Sequence, residues 1–206
     1  MEEYFPEKNG VDYNKLQMAN NSSYSITKPT DAKQISVFID KFVNKKNLVI
    51  MDGTANVGGD VINFGLNGNV EKVIAVEYNK TTYEKLVNNV KVYGLEKKVV
   101  TLHGDTVKLV ERCMGKVKID ILFLDAPWGG RGYKREKFMD LEMGGKRVFE
   151  LVRKVGECGN VSNVILKVPF NYNLYNLIHN NEFKHIVIEK IKTSRGYYLI
   201  ILIKIL

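Results

Sequence analysis

Cysteine is scarce in this chain of 206 residues: it has two, Cys113 and Cys158. Two thiols exclude a disulfide framework and a four-thiolate zinc site. The simplest reading leaves both free in a reducing compartment, as small buried apolar residues rather than nucleophiles. The three histidines, His103, His179 and His185, lie far apart and show no metal-ligand spacing, so each is read as structural and no metal is expected. Long apolar runs are missing as well, which excludes a membrane span. The most apolar stretch, Tyr197 to Leu206, is interrupted by Lys204 and reads as a short core strand. Glu2 and Glu3 at the start, with no hydrophobic segment behind them, do not read as a secretion signal. Acidic residues are the minority, 23 against 31 basic ones, giving a formal net charge of +8. That balance favours a polyanionic partner such as nucleic acid.

What is present suits one domain with a short appendage. Hydrophobic residues make up 45% and charged residues 26%, so the chain can build a core and is not disordered. Residues 1–25 show no clear period and hold Pro6, Gly10 and a polar Asn20-to-Ser23 run. Residues 1–27 read as an N-terminal arm, and residues 28–206 as the folded domain. Thr30 is expected to cap a helix whose apolar face is Ile35, Phe38, Ile39, Phe42 and Val43.

From Leu48 the pattern alternates between apolar runs and helical periods. Strands are predicted at 48–51, 72–77, 99–102, 119–124 and 164–168, with helices between them. Asn79 is read as the cap of a helix that turns Leu86, Val87, Val90 and Tyr93 inward and stops at Gly94. A short helix starts around Val107 and another covers 148–155. Runs at 185–191 and 197–206 close the chain as a hairpin, with Arg195-Gly196 as its turn. The resulting fold class is α/β: a seven-stranded Rossmann-like sheet with a terminal antiparallel hairpin.

Ligands of open α/β sheets bind at the carboxyl ends of the strands. The first such end reads Asp52-Gly-Thr54-Ala-Asn-Val-Gly58-Gly59-Asp60. Its glycines permit close backbone approach. The spacing fits neither the dinucleotide fingerprint nor a Walker loop, so a pyrophosphate is disfavoured. Asp52 suits an amine-bearing ligand. Glu77, ending the second strand, can accept both ribose hydroxyls, and Asp105, after the third, can accept from an adenine amino group. Three acids after three successive strands point to a nucleoside such as S-adenosylmethionine.

The fourth strand ends in Asp125-Ala126-Pro127-Trp128-Gly129-Gly130, which holds the only tryptophan. An exocyclic amine on a base has its lone pair delocalised into the ring. A carboxylate at Asp125, or the carbonyl of Ala126 or Pro127, could accept from its N–H bonds and localise that pair toward a methyl donor. Trp128 offers a flat wall on which a base stacks, worth about 1–3 kcal/mol. A cationic base such as 7-methylguanine would add a cation–π attraction.

These segments resemble the trimethylguanosine synthase family, the RNA cap guanine-N2 methyltransferases. The likeness is carried by Tyr24-Ser25-Ile26-Thr27, Asp52 with Val57-Gly58-Gly59, Asn88-Asn89, Tyr93-Gly94, Gly104-Asp105, Pro127-Trp128-Gly129-Gly130, Tyr133, Phe138, Asp140, Pro169 and Asn171. The chain departs from the family pattern at Asn56, in place of a glycine, and at Asp125-Ala126, in place of Ser-Pro. Phe170 stands where members have a phosphate-binding arginine. The resemblance implies S-adenosylmethionine held by Thr27, Asp52, Thr54, Gly58, Gly59, Glu77, Asp105 and Asp125. It implies catalysis at Asp125, Pro127 and Trp128. It implies capped RNA as partner, touched by Trp128, Tyr133, Lys28, Arg131 and Asn171. Between Arg131 and Arg147 six basic residues face three acidic ones, a further candidate phosphate surface. Two other readings stand beside this one: methylation of an internal base amine, guanine-N2 or adenine-N6, and a silent RNA-binding module. The expected setting is an intracellular monomer, with neither membrane nor metal.

Overall fold

A computed structural model describes residues 1–20, 22–113, 115, 117–179, 183, 185–193 and 196–205, with the backbone but not the side chain of Arg131. The chain divides into two compact units, Met1–Thr106 and Val107–Leu206.

The first unit opens with the short helix α1 (Ser22–Ser25) and the longer α2 (Pro29–Val43). Then follow β1 (Leu48–Asp52), α3 (Gly59–Leu66), β2 (Val70–Glu77), α4 (Lys80–Val92) and β3 (Val99–His103). The three strands are parallel, with β2 between β1 and β3. Helix α2 buries Ala32, Ile35, Phe38 and Ile39, close to the expected stripe. Its cap differs from expectation: Lys28 is the N-cap and makes no side-chain cap bond, while Thr30 lies inside the first turn. Pro29 explains the shift, because its fixed φ and missing N–H suit the first helical position.

Asn79 caps α4 as expected, accepting from the Thr82 amide at 3.0 Å. The inward stripe is Leu86, Asn89, Val90 and Tyr93, whereas Val87 is exposed. Asn89 replaces Val87 on the buried face because 86, 89, 90 and 93 follow the helical period and 87 leaves it. Gly94, at φ +63°, ends the helix, with its amide on the Lys91 carbonyl.

Residues 1–27 are tied down at several points. Phe5 and Leu16 are buried. The Tyr93 hydroxyl donates to the Pro6 carbonyl at 2.6 Å. Asn89 exchanges two bonds with the Gln17 backbone, both at 2.8 Å.

The second unit contains α5 (Thr106–Glu111), which begins at the boundary, then β4 (Ile119–Leu124). The predicted long loop holds a 3-10 turn (Gly130–Arg135) and a small ladder of β5 (Glu142–Met143) with β6 (Lys146–Arg147). After these come α6 (Val148–Cys158), β7 (Val161–Pro169), α7 (Tyr175–Ile178), β8 (His185–Thr193) and β9 (Gly196–Lys204). Strand β7 is parallel to β4, and β9 is antiparallel to both β7 and β8. The terminal hairpin is therefore present, although Arg195 of its expected turn lies outside the described residues. Every predicted strand is found, with ends displaced by up to three residues.

The expectation of free thiols is overturned. Cys113 and Cys158 form a disulfide, their Cα atoms 5.1 Å apart. Cys113, at φ +52°, follows α5, and Cys158 ends α6. Asn160 closes the same corner, donating to the Cys113 carbonyl at 2.8 Å. Spacing along the chain carried no sign of this, since 45 residues separate the pair. No described helix is long and apolar enough to cross a membrane. Among the described residues no group of three or more His, Cys, Asp or Glu is placed to hold a metal ion.

Candidate functional site

In the first unit the strand ends gather around the loop after β1. Asp52 is 1% exposed. Its Oδ1 accepts from the Thr54 amide at 2.9 Å, so Thr54 serves the loop's own turn. The Ala55 amide donates to the Val76 carbonyl at 3.0 Å, and the Thr106 hydroxyl to the Gly53 carbonyl at 2.6 Å. Glu77 is fixed by two backbone amides, from Asn56 at 2.9 Å and Asn79 at 2.8 Å, one on each carboxylate oxygen. Each oxygen keeps further acceptor capacity. Asp105 is half-buried after β3.

Asn56 accounts for its own departure from the family pattern. Its φ is +49°, a left-handed conformation that Asn tolerates best after Gly. Its side chain also works: Oδ1 accepts from the Ser22 hydroxyl at 2.8 Å, and Nδ2 donates to the Ser25 hydroxyl at 2.9 Å. A glycine there could not hold the α1 segment against the loop.

The two glycines are required for different reasons. Gly58 has φ +104°, which L side chains rarely adopt. A Cβ on Gly59 would lie 2.6 Å from Ile26 Cγ1 and 3.0 Å from the Thr27 carbonyl oxygen. Close approach of the α1–α2 connection, rather than of a ligand, therefore demands Gly59. The Thr27 hydroxyl is engaged too, donating to Asp60. Lys28 pairs loosely with Glu3 at 3.8 Å in an exposed setting, an ion pair of little energetic weight.

In the second unit the residues after β4 make a cluster of another kind. Leu124 pairs with Leu166 across β4 and β7, so the next residues, Asp125 and Lys167, run side by side. Lys167 Nζ meets Asp125 Oδ2 at 2.6 Å, with side-chain exposures of 8% and 16%. Burial pushes the Asp125 carboxyl above the usual carboxylate range, against the opposing pull of Lys167 and of the nearby Trp128 indole. The indole N–H is buried, and Asp125 is the acceptor nearest to serving it. The Lys167 ammonium also lies over the rings of Trp128 and Tyr198, at 5.7 and 5.4 Å from their centroids. Trp128 meets Tyr133 edge-on, centroids 5.2 Å apart.

Gly129 and Gly130, at φ +74° and +79°, turn the chain after Trp128 into the 3-10 turn that carries Tyr133. Asn171 secures that turn. Its amide donates to the carbonyls of Tyr133 at 2.8 Å and Glu136 at 2.7 Å, so its donors position the loop instead of facing a substrate. Pro127 is exposed and Ala126 buried. In the basic loop, Lys146 is neutralised by Glu111 at 2.6 Å. The Arg131 side chain lies outside the described residues.

Lys167, Thr106 and the Ser22–Asn56 contact escaped the sequence reading. A lysine inside the apolar run Val164-Ile165-Leu166-Lys167-Val168 was a usable signal, because a buried ammonium demands a partner.

Solved structures of similar fold include a methyltransferase domain and a protein bound to S-adenosylhomocysteine. The METTL16 methyltransferase domain matches with a TM-score of 0.65 at 10% identity, covering 88% of this chain and 85% of that one. M. capricolum TrmK, in complex with S-adenosylhomocysteine, matches at 0.54 and 16% identity, covering 82% and 66%. At such identities the likeness speaks for the fold alone. The fold is that of a Rossmann-like, S-adenosylmethionine-dependent methyltransferase, with seven principal strands and a terminal antiparallel hairpin.

A family model described as RNA cap guanine-N2 methyltransferase matches residues 47–201, and the chain belongs to that family. Trimethylguanosine synthase of Saccharomyces cerevisiae is 27% identical over 178 residues, 81% of this chain and 52% of that protein. The uncharacterized protein L320 of Acanthamoeba polyphaga mimivirus is 36% identical over 127 residues, 62% of this chain and 48% of that protein. The chain spans about half the length of these curated relatives.

S-adenosylmethionine is accordingly the methyl donor, and the first unit's chemistry fits it. Glu77 has two fixed oxygens, an arrangement able to accept from a pair of vicinal hydroxyls.

Proposed function

We propose that this protein methylates the exocyclic N2 of a 7-methylguanosine RNA cap. The observation that carries the reading is the cluster after β4, where a carboxylate and a tryptophan of the turn meet a buried lysine from β7. The bound donor supplies an electrophilic methyl group on a sulfonium. The chain's own work is to orient and to hold protons. Asp52, Glu77 and Asp105 hold the donor, and Thr54, Gly58, Gly59 and Thr27 shape the loop around it. Trp128 stacks on the base, with Tyr133 beside it. Asp125, paired with Lys167, accepts from the N2–H bonds and aligns the nitrogen lone pair for in-line displacement. A carboxyl held above its ordinary range by burial is also a competent acceptor for the proton that N2 sheds after transfer.

The acceptor is a base with a fixed positive charge, and an aromatic wall favours it over the neutral base by a cation–π attraction of about 0.5–2 kcal/mol. Lys28 and Arg131 are assigned to the cap phosphates, and Asn171 to holding the Tyr133 turn. The test is labelled methyl transfer to 7-methylguanosine-capped RNA with wild-type protein and with Trp128→Ala. The substitution is expected to abolish transfer and to leave donor affinity near normal. Retained transfer would remove the stacking role.

A further inference from the structure

The aromatic side chains of the second unit do not stop at the base wall. Beyond Trp128 and Tyr133, the Phe170 ring lies 6.4 Å from Tyr133, and Tyr197 lies 5.8 Å from Phe170. Phe170 is 38% exposed and Tyr197 41%, so both present ring surface to solvent. Single exposed aromatics need no explanation, but a connected row leading away from a base-stacking tryptophan does. The row is also positively charged. Lys190 Nζ sits 5.0 Å from the Tyr197 centroid, and Lys134 Nζ 5.9 Å from that of Tyr133. Rings interleaved with lysines are what single-stranded nucleic acid meets on proteins that bind it without reading sequence. Every base has a π-face, and each phosphate seeks a cation.

We infer that Phe170 and Tyr197, backed by Lys190, form a stacking platform for the nucleotides that follow the cap. The inference deepens the proposed function and rests on it, because the platform is useful only if the cap base occupies Trp128. Position 170 then contributes ring surface to a base instead of a charge to a phosphate. The platform is sequence-tolerant, since none of its groups reads a base edge.

The experiment measures dissociation constants for 7-methylGTP and for a short 7-methylguanosine-capped oligoribonucleotide. Wild type is compared with Phe170→Ala, Tyr197→Ala and Tyr197→Phe, at two salt concentrations. Wild type should bind the oligonucleotide roughly tenfold more tightly than the mononucleotide. Phe170→Ala and Tyr197→Ala should each erase most of that gain, and Tyr197→Phe should keep it. All should leave 7-methylGTP affinity within about twofold, the size of a change far below one lost stacking contact. The gain should shrink at higher salt as the Lys190 contact is screened. Equal affinity of wild type for the two ligands would overturn the platform and spare the cap reading, as would a gain that survives both alanine substitutions. Failure of wild type to bind 7-methylGTP at all would overturn the cap reading, and the platform with it.

Discussion

The loop after β1 and the turn after β4 are built on opposite plans. The first is held by backbone amides, hydroxyls and neutral side chains: Thr54 on Asp52, Asn56 and Asn79 on Glu77, Ser22 on Asn56. Its residues are mostly neighbours in sequence or on adjacent strands, and its glycines answer to conformation and packing. The second is centred on a buried ion pair, Asp125 with Lys167, set among Trp128, Tyr133 and Tyr198, with Asn171 bracing the turn that follows. The contrast fits two tasks. A donor that arrives activated needs a shaped receptacle. An amine whose lone pair is delocalised needs an oriented acceptor and a flat wall. A site of the first kind should tolerate loss of any one bond, whereas the second should fail when either member of the pair is removed.

Substitutions can break or sharpen that contrast. The largest effect is expected from Trp128→Ala: kcat/KM should fall at least about a hundredfold, more than the loss of one stacking contact through disturbance of the pair beneath it. Donor affinity by calorimetry should change little. Lys167→Met comes next. It leaves Asp125 buried without its cation, at a cost of about 3 kcal/mol, readable as a lower unfolding midpoint. It also removes a cause that holds the Asp125 carboxyl down, so the acid limb of the kcat/KM profile should move to higher pH. The sign for stability follows. With its folded value raised above its unfolded one, Asp125 favours folding below the unfolded value, and that contribution is lost as pH rises through the folded value. The variant should therefore lose stability on the alkaline side of wild type's profile, and an unchanged profile would show that Lys167 does not govern Asp125.

Gly59→Ala should act on the other region alone. The new Cβ would press on Ile26 and the Thr27 carbonyl, costing about 1–3 kcal/mol, much of it as weakened donor binding. Its affinity for 7-methylGTP should match wild type. Asn56→Gly is expected to be mildest. Glycine keeps the left-handed backbone but gives up the bonds to Ser22 and Ser25, about 1 kcal/mol in all. Limited proteolysis ahead of α2 should quicken while activity stays within a few-fold of wild type.

The two regions also differ in how readily sequence discloses them. Asp52, Glu77 and Asp105 were legible because each follows an apolar run whose period marks a strand. Asn56 and Gly59 were visible as residues, but their roles were not, since the demand comes from Ser22, Ser25 and Ile26 about thirty positions earlier. Asp125 stands out as the acid ending an apolar strand, and Trp128 as the only tryptophan. Lys167 does not, because its partnership depends on the register of β4 against β7, which no local pattern encodes. The Cys113–Cys158 bridge was hidden for the same reason. Hydrophobicity alone places Val87 on the buried face of α4, whereas the helical period places Asn89 there, a polar residue whose amide has partners.

The central claim is that the turn after β4 selects a positively charged guanine and delivers its N2. It is tested most directly by labelled methyl transfer from S-adenosylmethionine to three RNAs: one with a 7-methylguanosine cap, one with an unmethylated cap and one with none. The account predicts label at N2 of the 7-methylated cap and on neither of the other two. Label on the uncapped RNA would contradict it, moving the acceptor to an internal base.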